Sequence, residues 1–242
     1  MHMKFNLAIP GYDERSAGVR VCWYLHTLLN LAGYETVTDW SKPAPDDITV
    51  YPDCVPGNPL EAARVVRYML FFAESYFGKG PIPAEELAIP YADYLVEDLA
   101  AHYLGKPVAP LPIPCIEPGL FYPEEKTVDS VLYTGKLTVA IERRPPHEMP
   151  VITRTSHTRP EMAALLRKAK NLYTLDHHTA MAAEAKLCGA RVWLVDGPED
   201  FRELDQDPTP WVMDLSRDAR FGHQFAETCI LFFGVDGKPV PP

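Results

Sequence analysis

A dense run of prolines divides this chain into two stretches that open in the same way. Residues 107–123 hold six prolines and almost no helical signal. Proline at that density makes a stiff, extended connector, so the chain is expected to change domain there. Ahead of it, residues 5–10 (FNLAIP) form a short apolar strand that stops at Pro10-Gly11, and a polar loop, GYDERSAG, follows. Apolar side chains then recur at helical spacing (Val19, Cys22, Trp23, Leu25, Leu28, Leu29, Ala32), with Gly33 where a helix C-cap belongs. Residues 35–40 and 47–51 read as two more strands. Strand, loop, helix, strand is the opening of a parallel α/β sheet.

The remaining first-half pattern predicts a helix over residues 60–77, a strand or loop around 87–91, and a helix over 94–104 closed by Gly105. Beyond the connector the alternation restarts. A strand at 130–133 ends at Thr134-Gly135-Lys136, a basic loop covers 143–150, and a short strand covers 150–153. Pro160 at a first helical position starts a helix over 161–170. A strand at 171–175, a helix at 179–188 capped by Gly189, a strand at 191–195 and a terminal helix within 215–233 follow. The expected division is 1–114 and 115–242, each a Rossmann-like α/β domain.

Composition narrows the function. A formal net charge of -10 argues against non-specific nucleic-acid binding, which needs a basic face, so a nucleic-acid partner is not expected. Five cysteines (Cys22, Cys54, Cys115, Cys188, Cys229) are scattered without a C-x-x-C pair and read as reduced thiols. No apolar run reaches the length of a membrane span, and Met1-His2-Met3-Lys4 leads straight into a strand instead of a leader peptide. A cytoplasmic protein is the expectation.

Chemistry concentrates in residues 172–195. A strand delivers Asp176 at its carboxyl end, where open α/β sheets bind ligands. The helix that follows offers free N–H groups and a positive dipole end around His177, His178, Thr179 and Ala180, a seat for a diphosphate. Glu184 sits inside that helix among Ala182, Ala183 and Ala185, and can accept hydroxyls such as a ribose diol. Acids in such places are also found simply solvated or facing the dipole, so both readings stand at this point.

The segment resembles the signature of the retaining GT-B glycosyltransferases: Glu-x7-Glu, then Ala-x-x-x-Gly and an apolar strand. Asp176 and Glu184 have that spacing, with Asp for the first Glu, and Ala185 to Gly189 followed by Val192 continues it. Residues 116–123 (IEPGLFYP) are similar to the interdomain stretch of those enzymes, and residues 131–136 (VLYTGK) to the first donor-domain strand. The resemblance implies a GT-B fold, two Rossmann-like domains with parallel sheets facing across a cleft. It implies a glycosyl transfer from a nucleoside diphosphate sugar to a hydroxyl acceptor such as a saccharide, with retention, no metal and no further cofactor. Asp176 would face the transferred sugar and Lys136 would neutralise the leaving diphosphate. Gly135, His178, Thr179 and Ala180 would line the phosphates, and Glu184 would hold the ribose.

Ser16, Gly18 and Arg20 resemble the phosphate- and acceptor-facing loop of the opposite domain, although a tight strand-to-helix turn has the same composition. Among the basic residues Arg143, Arg144, Arg154 and Arg159, only Arg154, just past a strand end, is assigned to phosphate. His177-His178 lacks a third ligand at metal spacing. A non-catalytic sugar-nucleotide-binding scaffold and a transferase acting on a modified DNA base are the alternatives.

Overall fold

The computed structural model describes residues 3–73, 81–135, 149–176, 178–197, 200–205 and 207–235. The chain divides into two compact units. The first comprises residues 1–12, 18–113 and 215–242, and the second residues 13–17 and 114–214. The crossing at 113/114 falls within the proline-rich connector, but residues 215–242 join the first unit instead of ending the second.

In the first unit five strands, β1 (Phe5–Leu7), β2 (Thr36–Val37), β3 (Ile48–Pro52), β4 (Val65–Met69) and β5 (Leu87–Pro90), form one sheet in the order β2-β1-β3-β4-β5. Every pairing is parallel. The strands β1, β3, β4 and β5 are buried throughout, as expected of a sheet covered on both faces. Helix α1 (Ala17–Leu31) links β1 to β2, and α2 (Tyr94–His102) follows β5.

Strand β4 lies where the sequence predicts a helix over residues 60–77. Residues 65–73 are apolar on every side apart from Arg67, a pattern shared by a buried helix and a buried central strand. The ladder partners on either side, β3 and β5, decide it. Residues 74–77 lie outside the described part of the chain.

Arg67 in β4 has a side chain only 1% exposed. Its Nε donates to Glu86 Oε2 at 2.6 Å and its Nη1 to the Val55 carbonyl at 2.8 Å, while its Cζ stands 4.9 Å from the Tyr51 ring centroid. The terminal helix, here α5 (Leu215–Phe233), packs on the same unit. Its Phe225 meets Phe5 and Tyr68 edge-on, and Tyr24 of α1 donates to the fully buried Asp218 at 3.1 Å.

The second unit repeats the plan. β6 (Val128–Tyr133), β7 (Val151–Ile152), β8 (Ala169–Thr174), β9 (Arg191–Val195) and β10 (Phe201–Glu203) make a sheet in the order β10-β9-β8-β6-β7. Only β10 runs antiparallel. Read from β7, this is the first sheet's order again, one strand to one side of the opening strand and three to the other. Among the described residues, helices α3 (Arg159–Lys168) and α4 (Ala180–Leu187) belong to this unit. Both units are Rossmann-like α/β structures. Strand β10 and a short 3-10 turn at Thr209–Trp211 carry no sequence signal strong enough to predict them.

Local chemistry explains the helix ends. Thr158 caps α3 in a reciprocal box, its side chain accepting from Glu161 N while Thr158 N donates to Glu161 Oε2 at 2.8 Å, and Pro160 sits in the first turn. Lys126 stands near the ends of α3 and α4, its Nζ donating to the Arg167 carbonyl at 3.0 Å and to the Cys188 carbonyl at 2.5 Å. Among the described residues no helix is long and apolar enough to cross a membrane.

Candidate functional site

In an open parallel sheet, a crevice forms at the carboxyl ends of two neighbouring strands whose connections leave in opposite directions. In the second unit those strands are β6 and β8, paired from Val128↔Ala169 to Tyr133↔Thr174. β6 runs out into Thr134 and Gly135, and β8 into Leu175 and Asp176.

Gly135 has φ +66°, a left-handed conformation that favours glycine, and a β-carbon placed there would stand 2.7 Å from Asp176 Cβ and 2.9 Å from its Oδ2. Asp176 in turn accepts from His178 N through Oδ1 at 3.1 Å, which holds the turn into α4. Thr179 caps that helix, its Oγ1 accepting from Met181 N at 3.2 Å. Gly135, Asp176, His178, Thr179 and Ala180 therefore share one end of the sheet, with His178 exposed and Ala180 buried.

Tyr133, the last residue of β6, hydrogen-bonds Thr179. Burial pushes its hydroxyl pKa up, Asp176 and Glu184 push the same way, and the Thr179 hydrogen bond and Arg154 oppose them. Arg154, exposed beyond β7, also feels Asp13. Burial raises the Asp13 pKa, but hydrogen bonds from Arg15 and the charges of Arg15 and Arg154 leave it below the ordinary carboxylate range. Sequence reasoning overlooked Tyr133; a tyrosine ending a strand just before a Thr-Gly turn was the available signal.

Glu184 is 1% exposed. Its Oε1 accepts from Arg159 Nη1 at 2.8 Å, and Arg159 also reaches Glu117 Oε2 through Nη2 at 2.6 Å and Nε at 3.2 Å. The guanidinium lies 5.0 Å over the Phe121 ring, and the Arg159 backbone N donates to Glu14 Oε1 at 3.4 Å. Burial lowers the Arg159 pKa, and Glu184 and Glu117 more than offset that, leaving it above the ordinary value. Thus Glu184 is not a solvated helix residue: it is one arm of an ion triad in which Arg159 and Glu184 are buried and Glu117 is half-buried. Arg159, set aside in the sequence as one of several surface charges, is the centre of it.

Ser16 belongs to the 13–17 segment of this unit, with its N donating to Asp13 O at 3.1 Å. Gly18 and Arg20 belong to the first unit. A β-carbon on Gly18 would meet Leu70 Cδ1 at 3.3 Å, and Arg20 is buried in α1. Lys136, Arg143, Arg144 and His177 lie outside the described residues. Among the described residues no group of three or more His, Cys, Asp or Glu side chains is disposed to hold a metal ion.

Chemically, the second unit offers a tight turn at Gly135, a capped helix N-terminus, one exposed guanidinium and two carboxylates held by a single arginine. No family model, curated protein or solved structure matches this chain.

Proposed function

We propose that the protein is a glycosyltransferase of the GT-B type that moves a sugar from a nucleoside diphosphate sugar to an acceptor hydroxyl, with the second unit as the donor-binding part. The observation that carries this reading is the junction of Gly135, Asp176 and the Thr179-capped start of α4 at the switch point of a parallel sheet. A side chain is excluded at residue 135 because the Asp176 side chain fills the space, which brings the Gly135 turn directly against that carboxylate. The helix N-terminus adds N–H donors and a favourable dipole.

In this reading the diphosphate sits between the Gly135 turn and α4, with Arg154 and Lys136 neutralising it. Fixed donors and cations aimed at a departing diphosphate act on the charge that develops in the transition state. Asp176 faces the transferred sugar, Glu184 takes the ribose hydroxyls, and the anomeric configuration is retained.

Thermal unfolding against UDP-, GDP-, ADP- and dTDP-sugars tests the proposal. A bound donor at 100 times its dissociation constant adds about 2.7 kcal/mol of stability. One nucleotide is expected to raise the melting temperature, with release of its nucleoside diphosphate once an acceptor is supplied. No shift with any donor overturns the reading.

A further inference from the structure

We propose that His26, Thr36 and Asn30 form a pH-sensitive latch in the first unit. With His26 neutral the latch fastens the edge strand β2 to α1, and protonation of the ring opens it and loosens the carboxyl end of β1. The device stands apart from the donor-site reading above.

The direction of each hydrogen bond follows from what each group can do. The Asn30 side-chain nitrogen, a donor only, reaches the His26 carbonyl at 3.0 Å and Thr36 Oγ1 at 2.6 Å. Thr36 Oγ1 also lies 2.6 Å from His26 Nδ1. With Asn30 donating to it, the hydroxyl gives its own hydrogen to Nδ1, and the neutral ring carries its hydrogen on Nε2. The chain thus runs from His26 and Asn30, one turn apart on α1, to β2, a two-residue edge strand whose neighbour in the sheet is β1.

Protonation takes that acceptor away. A proton from solvent fills Nδ1, and the Thr36 hydroxyl has to turn its hydrogen elsewhere. The ring then carries a positive charge with the Asn30 side-chain nitrogen, itself a donor, 3.5 Å from Nδ1 and 3.4 Å from Nε2. Burial alone acts on the ring and holds its pKa below the ordinary 6.5. Glu35 and Asp39 on either side of β2, and Tyr12 beyond Trp23, add nothing to it. A folded-state pKa below the unfolded one gives stability that is full above pH 6.5 and is lost as pH falls from there towards the folded value.

Two tryptophans carry the effect to β1. Trp23, one turn before His26 on α1 and edge-on to its ring at 5.9 Å, donates its indole N–H to the Pro10 carbonyl at 3.1 Å. Trp40, in the segment after β2, donates to the Ile9 carbonyl at 3.1 Å. Both carbonyls follow β1, which lies beside β3, and the connections of these two strands leave in opposite directions. Open sheets bind ligands at that end, so the latch sets the shape of the ligand-facing end of the first sheet.

Residue-resolved hydrogen exchange between about pH 5 and 8, corrected for intrinsic rates, tests this alongside NMR titration of the His26 ring. The Phe5 amide, which donates to the Glu35 carbonyl at 2.9 Å, reports the β1–β2 edge. The Thr49 amide, which donates to the Arg64 carbonyl at 2.9 Å, reports the sheet interior. Protection at Phe5 is expected to fall about fivefold as His26 titrates, as for one lost hydrogen bond, while protection at Thr49 holds. In His26→Gln and Thr36→Val the Phe5 value is expected to be independent of pH. Constant Phe5 protection in the wild type through the titration of the ring overturns the latch. So does a fall that persists in His26→Gln, a parallel fall at Thr49, or a ring that titrates at or above pH 6.5.

Discussion

A methyl group on Gly135 would lie 2.7 Å from the β-carbon of Asp176, closer than two carbon atoms can approach. Gly135→Ala is therefore expected to push Asp176 away as well as strain a backbone at φ +66°. The loss of stability should be about 2–3 kcal/mol, read from urea denaturation. Gly119→Ala is the control: φ is +79° but nothing stands within 4 Å of the added carbon, so only the backbone cost of about 1–2 kcal/mol is expected. Equal losses at the two positions would show that the close approach to Asp176 has no energetic weight.

Removing Arg159 should leave a buried carboxylate uncompensated, with a cost of about 3–5 kcal/mol for Arg159→Met. The double variant Arg159→Met with Glu184→Met should cost less than the sum of the two single changes, since it removes the orphaned charge. A double-mutant cycle in urea measures the difference, and strict additivity would contradict the pairing.

In α5, a β-carbon on Gly222 would stand 2.2 Å from the Leu28 carbonyl oxygen and 2.6 Å from its carbon. Both are backbone atoms and cannot swing aside. Gly222→Ala is expected to destabilise the first unit by about 1–3 kcal/mol by forcing α5 off α1. Residues 1–113 expressed without 215–235 should fail to show a cooperative thermal transition, because Phe5 and Tyr68 lose their Phe225 cover. A sharp transition in that fragment would contradict this placement of the helix.

The capping box of α3 predicts a pH dependence. Hydrogen bonds from Thr158 backbone and side chain hold the Glu161 pKa below the ordinary glutamate range. A folded-state pKa below the unfolded one gives stability that is present above the unfolded value, about 4.5, and is lost as pH falls through the folded value. Glu161→Gln should flatten that part of the acid-unfolding curve. Thr158→Ala should cost about 1 kcal/mol at neutral pH, measured by the shift in urea midpoint.

Thiol labelling tests burial directly. Cys54 is exposed, whereas Cys22, Cys115, Cys188 and Cys229 are buried. Burial also raises the thiol pKa of Cys22 and Cys229, and that of Cys188 to about 12. A thiolate reagent should modify Cys54 quickly in the native protein and the other four only after denaturation. Rapid native labelling of Cys188 would contradict the packing of α4.

Much of the second unit was legible in the sequence because its signals are local. Thr158-Arg159-Pro160-Glu161 writes a helix start in four residues, Gly189 writes a helix end, and Val192 to Val195 an apolar strand. Asp176 and Thr179 follow from the strand-to-helix junction in the same way. Residues 65–69 were misread because an apolar run without a polar face carries no period of its own, and only pairing with β3 and β5 made it a strand. Residues 215–235 read as a helix, but nothing in their order says that Gly222 meets Leu28 or that the helix returns to the first unit. The same holds for Arg159, whose pattern in the chain is that of any surface arginine. The sequence by itself determined the periodicity, the caps and the turns, which depend on neighbours three or four residues away. Only the tertiary structure decided which charges are buried together, because Arg159, Glu184 and Glu117 are 25 and 42 residues apart and meet through packing alone.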